Sequence, residues 1–211
     1  MIHPHTALAF ISDDIGHGVV ATRFIPRGTI TWVRDDLDQV ITPARLRRME
    51  PVYRQIVEKY CFRDGAGDHI LCWDMARFMN HSCDPTCLSP GYNFEIAVRD
   101  IQPGEELTDD YGMLNIDSAF QCLCGKGRCR GEVTPQDVVT LADGWDGQIR
   151  DCFHEIRAVD QPLWHLVKEQ AEVESALSGQ QPIASCKTHF RLLNGVKVGV
   201  RARKVRAVAA A

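Results

Sequence analysis

The chain has no hydrophobic run long enough to cross a bilayer, so it does not fit the class of helical membrane proteins. Residues 1–14 also lack the basic segment and the long apolar core of a signal peptide. From these two absences we expect a protein of a reducing intracellular compartment, either the cytoplasm or, in a eukaryote, the nucleus.

Acidic residues are missing from one part of the chain only. None of the 28 Asp and Glu residues lies after position 186, whereas seven of the 24 Lys and Arg residues do. The remainder of the chain is therefore acidic, which suits a cationic partner such as a basic protein. The basic segment 187–211 suits either a polyanion such as nucleic acid or solvent.

Nine cysteines in a reducing compartment favour metal ligands or buried thiols over disulfides. The stretch "CLCGKGRC" places Cys122, Cys124 and Cys129 around two glycines that let the backbone double back. A structural zinc site needs four tetrahedral ligands, which are commonly all cysteine. On chemistry alone, either Cys83 or Cys87 can supply the fourth.

Short apolar segments separated by turn residues occupy the first 112 positions, which predicts a mainly β domain. One helix is expected over residues 42–60, with Thr42 as its N-cap and Pro43 in its first turn. Two further helices are expected near 135–158 and 162–178. In the basic segment, Asn194-Gly195 fits a β-hairpin turn, and a disordered tail is the alternative.

The stretch "RFMNHSCDPTC" ends an apolar run in adjacent His, Ser and Cys residues. Such a group suits a metal site, a nucleophile with its base, or a tight polar bend. Together with "DDIGHGVVATRFIPRGTI", "VRDIQPGEELTDDYG" and "CLCGKGRCRG", it resembles the SET-domain protein lysine methyltransferases that carry a post-SET zinc motif. The resemblance covers about residues 5–131 and follows the order of the family's motifs.

The resemblance implies a fold of small sheets with a knot-like threaded segment, and a pocket for S-adenosylmethionine. The implied cofactor-binding residues are Gly16, His17, Gly18, Arg77, Phe78, Asn80 and His81. Tyr111 corresponds to the family's catalytic tyrosine, and Phe120 to an aromatic of the lysine channel. The implied ligands of one structural zinc ion are Cys87, Cys122, Cys124 and Cys129.

These assignments divide the chain into a SET domain at 5–112, a post-SET zinc motif at 113–131, a helical extension at 132–186, and a basic tail or hairpin at 187–211. The expected activity is methylation of a lysine on a basic, histone-like protein, with no membrane partner. Nucleic acid is a further possible partner of the tail.

Two residues depart from the family pattern. Thr86 replaces an Asn, and Asp109 replaces an aromatic residue that helps set the number of methyl groups. A carboxylate at 109 can hold a lysine ammonium, but it also favours the unreactive charged amine. The alternative function is therefore a catalytically impaired SET-like binding module.

Overall fold

The computed structural model describes residues 1–191; the segment 192–211, with the hairpin expected around Asn194-Gly195, lies outside the described residues. The strands are β1 Thr6–Ser12, β2 Gly16–Ala21, β3 Ile30–Val33, β4 Gln39–Ile41, β5 Cys61–Arg63, β6 His69–Leu71, β7 Asn80–His81, β8 Cys87–Leu88, β9 Phe94–Ala97, β10 Glu106–Asp109, β11 Phe120–Gln121 and β12 Glu132–Val133. The α-helices are α1 Pro43–Arg48, α2 Pro51–Tyr60, α3 Asp137–Thr140, α4 Ala142–Phe153 and α5 Gln170–Leu177. The prediction of a mainly β fold with a C-terminal helical extension is confirmed.

The strands form four small sheets. Their orders are β1-β2-β10-β7, β3-β9-β8, β4-β6-β5 and β11-β12. In the first sheet β10 lies antiparallel to β2 but parallel to β7, a strand of two residues. This parallel pair brings two sequence motifs that are almost thirty residues apart to the same place.

Two turns that contain proline and glycine, at residues 26–28 and 103–104, form next to each other. Ile25 and Ile101 pair across an isolated antiparallel bridge. Gly28 and Gly104 close the turns with φ values of 87° and 82°, which side chains with a Cβ rarely adopt. The bridge holds the chain entering β3 beside the chain entering β10.

The helix expected over 42–60 is interrupted. Thr42 caps α1 by accepting a hydrogen bond from the Arg45 amide, as the sequence predicts. Glu50 is extended, with φ −60° and ψ 150°, because a residue before proline is driven out of the helical region. Pro51 then starts α2 as a separate helix.

The sheet β3-β9-β8 is buried on both faces. Ile30, Phe94 and Ile96 face one hydrophobic cluster, whereas Trp32 and Ala97 face a second cluster, which also contains residues of β2 and β10. Burial on both faces explains why these strands are apolar along their whole length instead of alternating. The sheet is the shared wall between the two clusters.

The helical extension shares the first of these clusters. Trp145, Ile149 and Phe153 of α4 pack with strand residues of β3, β8 and β9, and each is at most 3% exposed. Phe190 packs there as well, so the start of the expected basic tail belongs to the body. The boundary expected at 131/132 therefore does not separate two independent cores.

A glutamine ties the extension to β3. Gln161 accepts a hydrogen bond from the Ile30 amide at 2.8 Å and donates to the Gly28 carbonyl at 2.8 Å. Both partners lie where the chain enters β3. The Gln161 side chain thus supplies hydrogen-bond partners to a backbone N–H and a backbone C=O at the start of this strand.

No helix among residues 1–191 combines the length and the apolar character needed to span a bilayer.

Replacing Phe153 by Ala is expected to lower the free energy of unfolding by about 3–5 kcal/mol, because it empties a fully buried site in the shared cluster. Denaturant unfolding followed by circular dichroism measures this. Val139→Ala, at a side chain that is 60% exposed, is the control and is expected to change stability by less than about 0.5 kcal/mol. Loss of helical signal with the β signal retained would contradict the shared core.

Candidate active site and metal centre

The parallel pairing of β7 with β10 places Asn80 beside Thr108 and His81 beside Asp109. Beyond β7 the chain continues along β10, where the Ser82 amide donates to the Asp109 carbonyl at 2.9 Å. Thr86, one of the two residues that depart from the family pattern, is buried and donates through its hydroxyl to the Thr108 carbonyl at 3.2 Å. Backbone pairing thus fixes the segment 80–86 against β10.

Tyr111 opens a short 3-10 turn, Tyr111–Met113, directly after β10. Its hydroxyl donates to the Met79 carbonyl at 2.6 Å, and its amide donates to His81 Nδ1 at 3.1 Å. Burial, and then the nearby carboxylates led by Asp109, hold the pKa of Tyr111 far above its usual range. The phenol therefore stays neutral and acts through hydrogen bonding.

His81 has a defined tautomer. Since Nδ1 accepts from the Tyr111 amide, Nε2 carries the hydrogen and faces Cys83 Sγ at 3.3 Å. Burial lowers the pKa of His81, which keeps the ring neutral although Asp110 lies 3.6 Å from Nδ1. The rings of Tyr111 and Phe120 pack around it with centroid distances of 5.6 and 5.9 Å.

A cavity of about 250 Å³ opens on the side of β10 that carries Glu106 and Thr108. Asn80, His81 and Ser82 line its floor. The rest of its wall comes from Ile11, Ser12, Ile15, Arg99, Glu105, Leu123, Cys124 and Lys126. The wall combines apolar side chains, polar side chains and the edge of the cysteine loop.

Asn80 is held at the floor of this cavity by two hydrogen bonds that its side-chain amide donates, to the His17 carbonyl at 3.1 Å and to Glu106 Oε1 at 2.6 Å. Gly18 makes this packing possible, because a Cβ at that position would stand 2.2 Å from Glu106 Oε1 and 2.8 Å from Asn80 Nδ2. The close approach of backbone to side chain is what the Gly-x-Gly sequence permits.

The predicted cofactor-binding residues do not all reach the cavity. Asn80 and His81 line it and Gly18 supports it, whereas the exposed His17 ring packs on Phe10. Gly16 is the first residue of β2 and has a φ of 81°. Arg77 and Phe78 lie outside the cavity lining, where the Arg77 guanidinium stacks over the Phe78 ring at 5.4 Å.

Four thiols form one cluster, and its fourth member corrects the sequence prediction. The sulfurs of Cys83, Cys122, Cys124 and Cys129 all lie within 4.8 Å of one another. Cys87 does not join them: it is a fully buried residue of β8 and belongs to the second hydrophobic cluster. Burial raises the pKa of Cys87 to about 12, so it behaves as a protonated core thiol.

The path of the backbone explains why Cys83 joins the thiol cluster and Cys87 does not. Cys83 lies in the bend after β7, on the side facing the cysteine loop. Cys87 lies in β8, paired with Ala97 and turned toward the core. Both residues fit the chemistry, and only the three-dimensional path of the chain separates them.

The cluster has the hydrogen bonding of a thiolate site. The amides of Cys124, Arg130 and Gly131 donate to the sulfurs of Cys122, Cys83 and Cys129, each at 3.4 Å. N–H donors around sulfur stabilise the charged form that a metal requires. Four sulfurs in this arrangement can hold one zinc ion and leave no position open for water.

Sequence reasoning missed Arg130 and Asp110. Arg130 makes two 2.7 Å bonds to the Asp110 carboxylate and a third contact of 3.1 Å to Asp137. The Trp145 indole donates to Asp110 at 3.1 Å. Both residues stand inside quoted motifs, "CRG" and "DDYG", so their positions were available from the sequence but their partnership was not.

Comparison with known proteins is consistent with this geometry. The SET domain family matches residues 16–112. The histone-lysine N-methyltransferase SETD1B of Homo sapiens is 35% identical over 112 residues, covering 48% of this chain and 6% of the relative. The ash1 protein of Drosophila melanogaster, with the same enzyme name, is 30% identical over 137 residues, covering 59% of this chain and 6% of the relative.

A plant relative, the histone-lysine N-methyltransferase TRX1 of Oryza sativa, is 37% identical over 133 residues, covering 57% of this chain and 12% of the relative. This chain therefore spans only a small part of the length of the relatives it matches. The matched residues contain β2, β7, β10 and Tyr111, which build the cavity and its surroundings. The predicted resemblance to SET-domain proteins is confirmed over residues 16–112, which match the SET domain family.

Proposed function

We propose that this protein is an S-adenosylmethionine-dependent protein-lysine N-methyltransferase. The observation that carries the proposal is the β7–β10 pair, which sets the cavity floor of Asn80 and His81 directly beside Tyr111. The SET-domain relatives are named as histone-lysine N-methyltransferases, which supports a basic protein substrate. The acidic body of the chain agrees with such a substrate.

The cavity residues fit the cofactor. The apolar side chains of Ile11 and Ile15 suit a flat ring system, while the polar groups of Ser82, Thr108 and the Asn80 region suit a ribose and an amino-acid end. Lys126 and Glu105 at the rim offer charges to a carboxylate and a cation. We assign the cofactor-binding role to Gly18, Asn80 and His81, with Gly16 and His17 shaping the start of β2.

S-adenosylmethionine supplies a methyl group on a sulfonium, and transfer to a neutral amine breaks the C–S bond while a C–N bond forms. The protein's contribution is alignment and exclusion of water. Tyr111 presents a neutral hydroxyl at the end of β10, and His81 fixes its backbone. Phe120 closes the aromatic wall on the same side, with its ring 6.1 Å from that of Tyr111.

The zinc ion that the cysteines can hold has a structural role in this proposal. Its ligands are Cys83, Cys122, Cys124 and Cys129, and Cys83 follows the cavity residues His81 and Ser82 directly. Cys124 also lines the cavity. The ion would therefore join the floor of the cavity to the loop that forms its wall.

A second candidate function is a SET-like module that binds the cofactor without transferring methyl groups. The buried Asp109, which stands where the family commonly has an aromatic residue, favours it. Measurable binding of S-adenosylmethionine, with no transfer to any basic protein and transfer gained in Asp109→Tyr, would establish this reading instead.

Tyr111→Phe is expected to lower the rate of methyl transfer by about 100-fold or more, because one positioned hydroxyl is lost from the reacting centre. The assay combines the protein, radiolabelled S-adenosylmethionine and a mixture of core histones. Cofactor affinity and melting temperature are expected to stay near wild type. Wild-type rates in the variant would remove Tyr111 from the mechanism.

Cys83→Ala is expected to lose zinc, whereas Cys87→Ala keeps one zinc per chain, because only Cys83 lies in the thiol cluster. Zinc content after purification and dialysis, measured by elemental mass spectrometry, separates the two variants. Both replace a cysteine of the same motif, so each is the control of the other. Zinc retained in Cys83→Ala and lost in Cys87→Ala would restore the original assignment.

Gly18→Ala is expected to weaken binding of S-adenosylmethionine by at least about 10-fold, because the new Cβ collides with the Asn80–Glu106 pair. Isothermal titration with the cofactor measures the change. The control is Gly144→Ala on α4, where a Cβ meets nothing within 4 Å and helix propensity favours alanine. Equal affinities in the two variants would disprove the role given to Gly18.

A further inference from the structure

Asn115 fastens the end of the described chain beside the turn that carries Tyr111. It lies four residues after Tyr111 and has a φ of 53°, a left-handed conformation that asparagine adopts more often than most residues. Its side-chain amide donates to the His189 carbonyl at 2.9 Å and to the Arg63 carbonyl at 3.0 Å. Its side-chain oxygen accepts from the Arg191 amide at 2.9 Å. These three hydrogen bonds form a clamp on the last described residues.

The residues next to the clamp are also held firmly. Phe190 is 1% exposed, and its ring packs 5.9 Å from that of Trp145 in α4. The Nε2 atom of His189 lies 3.0 Å from the Pro90 carbonyl oxygen and 3.2 Å from that of Tyr92. The point at which the remaining chain leaves the body is therefore fixed close to the candidate catalytic turn.

A cavity of about 50 Å³ lies beside this exit. Phe62, Phe190 and Met113 line it, and Asn115 of the clamp belongs to the same lining. Met113 is the last residue of the 3-10 turn that begins with Tyr111. The cavity thus extends from the clamp to the turn and leaves space along that path.

The residues beyond the clamp have the composition that the proposed function expects of a substrate. Segment 192–211, which lies outside the described residues, contains five Lys or Arg residues and no acid. Its two lysines are Lys197 and Lys204. All 28 acidic residues of the chain lie before position 187, so the body attracts this segment electrostatically.

Lys197 is the first lysine after the clamp, and it lies within reach of the site. Four residues separate Tyr111 from Asn115, which is at most about 14 Å of backbone. Six residues separate Arg191 from Lys197, which can span up to about 20 Å, and the lysine side chain adds to that length. A short tether of this kind gives the attached group an effective concentration on the order of millimolar.

We propose that the active site methylates Lys197 of its own chain, so that the clamped C-terminal segment is an intramolecular substrate. The neutral amine of Lys197 uses its lone pair to form a C–N bond to the methyl carbon of S-adenosylmethionine. The C–S bond breaks with its electron pair left on sulfur, which gives S-adenosylhomocysteine. The proton that the ammonium loses beforehand passes to water. This inference rests on the proposed lysine methyltransferase function and adds a substrate to it.

The first test incubates the full chain with radiolabelled S-adenosylmethionine and no other protein. Wild type is expected to label itself, and tandem mass spectrometry of fragments cut at acidic residues is expected to place the methyl group on Lys197. Lys197→Arg keeps the charge and is expected to lower self-labelling at least 10-fold. The control is Lys187→Arg, at a lysine before the clamp that pairs with Asp143, and it is expected to label as wild type does.

The second test shows whether the reaction stays within one chain. The rate constant of self-labelling is expected not to change over a 10-fold range of protein concentration. When wild type is mixed with an equal amount of a tagged Tyr111→Phe chain, the tagged chain is expected to receive less than a tenth of the label.

The third test removes the clamp. Asn115→Gly tolerates the left-handed backbone and deletes the three hydrogen bonds of the side chain. Self-labelling is expected to fall at least fivefold, while methylation of core histones stays within twofold of wild type. A rate of self-labelling equal to that of wild type would disprove the role given to the clamp and overturn the inference.

The remaining outcomes separate the inference from the proposed function. Label on core histones with none on the chain itself, or self-labelling that Lys197→Arg retains, overturns the inference and leaves the proposed function standing. Equal labelling of the tagged Tyr111→Phe chain also overturns it, because transfer then occurs between chains. No label on core histones or on the chain rejects the proposed function and the inference with it.

Discussion

The carboxylate of Asp110 is the point on which the site depends. It is 1% exposed and accepts hydrogen bonds from the Gly112 amide, the Arg130 guanidinium and the Trp145 indole. These donors come from the turn after β10, from the end of the cysteine loop and from α4. One buried charge therefore fixes three separate parts of the chain around Tyr111. Removal of this carboxylate would take the acceptor from the Trp145 indole and leave Arg130 with Asp137 alone.

The same network of hydrogen bonds and ion pairs connects the helical extension to the site. Arg130 also contacts Asp137 at the start of α3, and α4 fills the cluster behind β3, β8 and β9. The extension is thus packed as part of the domain that carries the site. Trp145 of the extension fills the core, and its indole N–H also donates to Asp110, the residue before Tyr111.

The sequence motifs predicted the resemblance to SET domains and five of the ten strands before residue 112, because these depend on local composition and on turn residues such as Gly28 and Gly104. They did not predict the break before Pro51, which follows from the restriction that proline places on Glu50. The choice between Cys83 and Cys87 depends on which way the chain turns after β7. Long-range partners such as Asp110 and Arg130 leave no periodic signal at all.

The alternation of side chains along β10 gives the two faces of this strand different surroundings. Glu106 and Thr108 line the cavity, whereas Leu107 belongs to the second hydrophobic cluster and Asp109 is buried. Substitutions at 106 and 108 can therefore reshape the cavity while the core behind it stays packed. A strand of four residues thus lets the shape of the cavity and the stability of the core vary independently.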